Sequence, residues 1–228
     1  MIHWEKYRAV LFDADDTLFD FNGAEAEAFH GLAVSIGLQV PLEEAYAAYR
    51  CANAQAWRDL EAGLLDFASL KVARFQALFS RLGVERDAVE ASRTYLALLA
   101  RSARLLPGAR EVLESLSGRL PLALVTNGLR EVQRGRIEGQ GLEPFFRCIL
   151  ISEEIGIAKP DPAFFREACR RLEVEPAAAL CVGDNPVADI RGAMDAGLDA
   201  CWCDFHGRDY PPTLPRPTCV IHGLSELL

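Results

Sequence analysis

Three aspartates fall within four positions where a greasy run stops, in Leu11-Phe-Asp13-Ala-Asp15-Asp16-Thr17. Burying one unpaired carboxylate is costly. Two of them about 4 Å apart repel by roughly 4 kcal/mol at an effective dielectric near 20. A divalent cation or a phosphate-handling site is the kind of partner that offsets such crowding. Asp13 and Asp15 stand two apart, so on a continuing strand both side chains share one face. Because the strand ends here, Asp15 enters a turn, leans over the same pocket and frees its carbonyl for a metal, while Thr17 is expected to hydrogen-bond within that turn.

Three later segments carry matching chemistry. Thr126-Asn127-Gly128 joins a hydroxyl to a run of backbone N–H groups before a helix, the ingredients of an anion cradle, with Gly128 permitting close backbone approach. Lys159-Pro160 contributes a cation. Lysine occurs at only three positions, 6, 71 and 159, in a chain whose default cation is arginine. Lys159 therefore reads as a choice of compact ammonium, able to balance Asp13 and a bound phosphoryl group. Lys71 reads as an ordinary surface lysine. Gly183-Asp184-Asn-Pro-Val-Ala-Asp189 supplies two more carboxylates, Asp189 early in a helix that Pro186 opens. Hard oxygen donors of this kind suit Mg²⁺. Asp195 and Asp199 are assigned to solvent.

What brings these segments together is their place at the ends of buried strands. Apolar runs at 9–13, 122–127, 147–152, 179–184 and 200–204, with a weaker one at 218–222, have the composition of fully buried parallel strands. Helical stretches at 109–117, 130–139, 162–172 and 186–196 separate the later runs. This alternation predicts an α/β fold, a doubly wound parallel sheet with right-handed crossovers. Each main run turns polar at its carboxyl end, where open α/β sheets bind ligands. From Asp13 to Leu122 exceeds a hundred residues, while a βαβ unit needs roughly thirty. The excess reads as four helices, at 22–36, 42–62, 66–82 and 86–103, broken at Gly37, Gly63 and Gly83, with Asn22 and Glu25 forming a capping box on the first. The predicted organisation is a catalytic core of residues 1–19 and 103–228. An α-helical bundle cap, residues 20–102, is inserted after the first strand and lies over the strand ends as a lid.

Composition narrows the partners. Formal net charge is -9 with no basic stripe, which argues against a nucleic-acid polymer. No apolar run approaches the ~20 residues of a membrane span. Seven scattered cysteines lack zinc spacing and read as reduced thiols, and the N-terminus does not read as a signal peptide, so a cytoplasmic protein is expected.

The order Asp-x-Asp-x-Thr, Thr-Asn-Gly, Lys-Pro, Gly-Asp-x₄-Asp, each on its own strand end, resembles the haloacid dehalogenase (HAD) superfamily, over nearly the whole chain. LFDADDTLFDF, LVTNG, ILISEEIGIAKPDPAFF and VGDNPVADIRGAMDAGLDACW are similar to a branch of 5′-nucleotidases that dephosphorylate pyrimidine nucleoside monophosphates as pool cleansing. The resemblance implies an Mg²⁺-dependent hydrolase of small phosphomonoesters working through an aspartyl-phosphate. Asp13 would be the nucleophile and Asp15 the general acid and base. Asp13, the Asp15 carbonyl and Asp184 would hold the metal, with Asp189 behind them. Thr126, Asn127, Gly128 and Lys159 would hold the phosphate. Two departures, Asn185 and Ala188, stand where the family often has Ser or Thr and Asn. In the cap, Phe19, Phe21 and Trp57 are candidates for stacking on a base and Arg74 for a polar contact. A monomer or homodimer is expected.

Other readings stay open at this point. A sugar-phosphate or phosphoglycolate-like phosphatase or a phosphomutase shares all four motifs. A dehalogenase needs no acid at Asp15. A phosphonate hydrolase needs a cap lysine that residues 20–60 lack. A non-catalytic phosphate-binding protein on this scaffold has no need of Asp13 or Asp184.

Overall fold

The computed structural model describes residues 2–228. Its centre is a six-stranded, all-parallel sheet of β1 (Ala9–Phe12), β2 (Leu122–Thr126), β3 (Cys148–Ile151), β4 (Ala179–Gly183), β5 (Asp199–Cys203) and β6 (Cys219–Ile221), in the order β3-β2-β1-β4-β5-β6. The chain starts in the middle, builds outward through β2 and β3, then returns to the other side of β1. That reversal puts a crevice between β1 and β4, with the end of β2 alongside.

Side-chain alternation sorts the sheet into two faces. Val10 and Phe12 pack on one side with Leu113 and Leu116 of α5 (Ala109–Ser117). Ala9 and Leu11 pack on the other with Phe164, Phe165 and Ala168 of α8 (Pro162–Leu172). Both faces are covered, so the inner strands are apolar throughout rather than alternating. Between β2 and α8 run α6 (Arg130–Gly139), β3 and the short α7 (Ser152–Ile155). After β4 comes a π-helical turn, Pro186–Arg191, that continues into α9 (Gly192–Ala196), where one regular helix was expected.

Between β1 and α5 lie four helices, α1 (Phe21–Ser35), α2 (Leu42–Glu61), α3 (Phe67–Leu82) and α4 (Ala88–Arg101). They share an apolar interior of Phe29, Tyr49, Leu70, Phe75, Leu78 and Tyr95, which also takes in Leu129 and Val132 from the α6 side. The strands entering and leaving this cap run side by side. Phe19 bridges antiparallel to Leu105, and the Asp20 N–H donates to the Arg104 carbonyl at 3.0 Å. The cap of α1 is Asp20, whose carboxylate accepts from Gly23 N at 2.9 Å, and not Asn22. Asn22 instead donates to Asp16. Glu25 is not a capping-box partner either. It is buried, accepting from Tyr46 Oη at 3.1 Å and Asn53 Nδ2 at 3.2 Å.

Two surface assignments also change. Asp199 accepts from Tyr7 Oη at 2.8 Å and pairs with Lys6, tying the N-terminus to β5. Lys71 pairs with Glu153 at 2.9 Å and Glu131 at 3.1 Å, joining α3 to the core. All seven cysteines are free, and among the described residues no helix is long and apolar enough to cross a membrane.

Candidate active site

Asp13 follows β1 directly, and its N–H is held by the Val182 carbonyl of β4 at 2.9 Å. Asp184 follows β4. With Asp189 from the π-helical turn they form one group, carboxylate oxygens all within 4.8 Å of one another. The Gly before Asp184 has a steric reason. A Cβ on Gly183 would lie 2.5 Å from the Asp189 side chain, so only glycine lets that carboxylate fold back over the strand end.

Lys159 is 3 % exposed, and its Nζ donates to Asp13 Oδ1 at 2.5 Å, Asp189 Oδ1 at 2.6 Å and the Val125 carbonyl at 3.0 Å. Burial alone would lower its pKa. The Asp13 and Asp189 charges outweigh that and hold it up, so the ammonium stays charged. Burial and the Asp189, Asp184 and Asp15 charges push Asp13 well above the ordinary carboxylate range, against the pull of Lys159. Burial, then Asp189 and Asp16, push Asp184 up to about 7. Three carboxylates thus share one buried ammonium. That excess of negative charge, carried by hard oxygen donors, fits a divalent cation such as Mg²⁺. Arg208, from the loop after β5, reaches Asp184 Oδ2 only loosely, at 3.4 Å.

Asn185 shows what the departures from the family pattern do. Its Oδ1 accepts from Val187 N and Ala188 N, both at 3.0 Å, capping the turn, while its own N–H donates to Asp189 Oδ2 at 2.9 Å. Asp189 is therefore fixed on both oxygens, by Lys159 and by this amide.

The phosphate-side residues divide. Thr126 is buried beside the site and its Oγ1 has no hydrogen-bond partner, an unspent donor at the end of β2. Asn127 clamps the Lys159 backbone, donating from Nδ2 to its carbonyl at 2.7 Å and accepting its N–H at 2.8 Å. Gly128 does not offer its amide to an anion, because that N–H donates to Ser152 Oγ at 3.0 Å. At the N-terminus of α6 the Arg130 N–H is likewise taken, donating to Glu153. The space above Gly128 is filled by Gln133, whose Nε2 would lie 2.7 Å from an added Cβ.

Asp15, in the turn after β1, lines the same cleft. Its Oδ1 accepts from Arg136 Nη1 at 2.5 Å and its Oδ2 from Gln133 Nε2 at 2.8 Å. Arg136 is fully buried, its guanidinium 4.6 Å from the Phe19 ring centre and 5.7 Å from that of Phe21. Neither α6 residue was singled out from the sequence. Their spacing of three puts both on one helix face, but Gln and Arg on a polar helix carry no signal of burial. Thr17 is buried with its hydroxyl unpartnered rather than bonded in the turn, which Asp16 organises by accepting from Phe21 N and Asn22 N.

Between cap and core is a cleft of about 320 Å³, within the size range of small-molecule sites. Phe21, Trp57 and Arg74 line it from the cap. Phe19 does not. It is wholly buried in the core beneath Arg136, so its aromatic face is already spent.

Known proteins with this arrangement are many. YfnB of Bacillus subtilis, named a HAD-hydrolase, is 35 % identical over 227 residues, covering 98 % of this chain and 94 % of its own. A YfnB crystal structure bound to magnesium superimposes with a TM-score of 0.87, covering 97 % of this chain and 96 % of that one. The pyrimidine 5′-nucleotidases PynA of Streptococcus pneumoniae and YjjG of Escherichia coli are 34 % and 31 % identical, each covering 97 % of this chain and 94 % and 96 % of their own. The family model for haloacid dehalogenase-like hydrolases matches residues 7–197, and the chain belongs to that family.

Proposed function

We propose that this hydrolase is an Mg²⁺-dependent phosphomonoesterase of the cytoplasm, with pyrimidine nucleoside 5′-monophosphates as its substrates. The observation that carries the reading is the convergence of Asp13, Asp15 and Lys159 on one cleft, a nucleophile, a proton carrier and a cation together. The likeness to PynA and YjjG supports the nucleotide half.

In this reading the Asp13 carboxylate attacks phosphorus and forms an acyl phosphate as the bond to the leaving ribose oxygen breaks. Asp15 gives that oxygen its proton. Asp15 then takes a proton from water, which attacks the same phosphorus, releasing inorganic phosphate and restoring Asp13. Arg136 and Gln133 hold Asp15 in register for both steps. Lys159 offsets the phosphoryl charge and the unpartnered Thr126 hydroxyl donates to a phosphoryl oxygen. Asp13, Asp184 and the Asp15 carbonyl would hold Mg²⁺, with Asp189 behind them, and the ion supplies charge neutralisation when bound. Asp15 favours a phosphatase over a dehalogenase, which has no leaving-group oxygen to protonate.

A screen of nucleoside monophosphates beside sugar phosphates, read as phosphate release with Mg²⁺ and with chelator, tests this. The expected result is chelator-sensitive release, fastest from pyrimidine nucleotides. Fastest release from sugar phosphates overturns the nucleotide half. No release from any phosphomonoester overturns the whole.

A further inference from the structure

Two arginines are buried among the described residues, and they are buried differently. Both keep Nε and Nη2 without a partner, but Arg136 is paired through Nη1 with the Asp15 carboxylate. Arg74, on α3, has no ion pair. It is 3 % exposed, its Nη1 donates to Asn53 Oδ1 at 3.0 Å, and its Nε and Nη2 have no partner. Its guanidinium lies 5.1 Å from the Tyr95 ring centre and 5.3 Å from that of Phe75, so two aromatic rings fix its position. Asn53 cannot turn away, because its Nδ2 is held by Glu25. Orphaned donors on a buried charge are among the costliest arrangements a fold can keep. The side chain that carries these buried donors lines the same cleft as Asp13, Trp57 and Phe21.

We propose that Arg74 reads the leaving half of the substrate, donating Nε–H and Nη2–H to a carbonyl oxygen on a flat ring that rests against Trp57 or Phe21. The inference deepens the nucleotidase reading and rests on it. An aromatic wall accepts any base, because every base has a π-face. The guanidinium fork is more selective. Every pyrimidine base presents a carbonyl at C2, whereas adenine has no carbonyl at all. A buried fork left unanswered penalises the wrong base more than a matched one rewards the right base.

The test compares kcat/KM for UMP, AMP and ribose 5-phosphate in the wild type, Arg74→Met and Arg74→Lys. Met keeps most of the volume, and Lys keeps the charge without the fork. The wild type is expected to favour UMP over both others by at least about tenfold. Both variants should lose most of that preference, chiefly through KM for UMP, as expected when ground-state binding is removed. Circular dichroism and melting of each variant show that the cap is intact, and Arg74→Lys serves if Arg74→Met does not fold. A folded variant that keeps the UMP-over-AMP ratio overturns the role of Arg74 and leaves the nucleotidase reading standing. A wild type that hydrolyses ribose 5-phosphate as well as UMP overturns the nucleotidase reading, and the base-reading role falls with it.

Discussion

The floor of the cleft and its roof are both buried and polar, but they settle their charges in opposite ways. On the floor, Lys159 sits among Asp13, Asp189 and the Val125 carbonyl with every donor used. On the roof, Arg74 keeps two donors without partners, with Glu25 reached only through Asn53. The floor has too many negative charges for its one ammonium, whereas the buried guanidinium of the roof touches no carboxylate directly, Glu25 standing behind Asn53. Each imbalance names what is missing. A floor short of positive charge suits a metal cation, whose charge would in turn offset an anionic phosphoryl group, whereas a roof short of acceptors suits the uncharged, oxygen-bearing part of a ligand. In the proposed function, chemistry and selection would fall to separate bodies, which Asp20 and Arg104 help to join.

The contrast breaks most sharply at Asp13. Replacing Asp13 with Asn keeps the volume and removes the nucleophile, so phosphate release should fall on the order of 10³–10⁵-fold in protein that circular dichroism shows to be folded. Retained turnover would remove Asp13 from the mechanism. Lys159→Met comes next. It strands two buried carboxylates, and breaking such a pair costs about 3–5 kcal/mol, roughly 6–20 °C in Tm for a chain of this size. Arg74→Met strands no carboxylate directly and should move stability by only about 1 kcal/mol. Equal losses from the two would show that floor and roof are not balanced differently after all.

A third effect is smaller and opposite in sign. In metal-free protein Asp184 is crowded by burial, Asp189 and Asp16, which hold its pKa near 7, above the unfolded value. A carboxyl raised in this way contributes stability that is present below about pH 4 and lost as pH rises through about 7. Asp184→Asn should therefore raise the Tm of metal-free protein at pH 8, by the equivalent of about 1–3 kcal/mol, and flatten its dependence between pH 5 and 8. The same variant should lose the rise in Tm that Mg²⁺ gives the wild type. A variant that still gains from Mg²⁺ would take Asp184 out of the metal site.

The same division decides what could be read from sequence. Most of the floor was legible because Asp13, Thr126 and Asp184 sit at a strand's carboxyl end, where an apolar run of four or five residues announces the position and a single polar residue announces the role. Lys159 lies beyond α7, eight residues past the end of β3, and was legible instead because lysine is rare in this chain. Gly128 misled because a glycine before a helix suggests an open backbone, whereas Ser152 from the neighbouring strand end takes its amide. Phe19 misled because an aromatic beside the motif looks free until the sheet and Arg136 close over it. In the cap, helical spacing separates inside from outside but does not say which polar residue is carried inward. Glu25, Asn53 and Arg74 come from three different helices, and their meeting is decided by how those helices cross. Gln133 and Arg136 were hidden for the same reason.

The seam between the two bodies gives the smallest effect. Lys71 spans it, from α3 of the cap to Glu131 of α6 and Glu153 of α7. The pairs are partly exposed, so each is worth about 0–1 kcal/mol and is screened by salt. Lys71→Met should leave Tm within a few degrees and kcat within about twofold. Because the pairs hold the cap against the core rather than touching substrate, the change should appear as a modest rise in KM, roughly two- to threefold at low salt. Half-molar salt should give the wild type the same KM and leave the variant unmoved, since the charges it screens are already gone. If salt weakens both proteins equally, the pairs do not hold the seam, and the apolar contact of Leu129 and Val132 with the cap interior is enough to seat it.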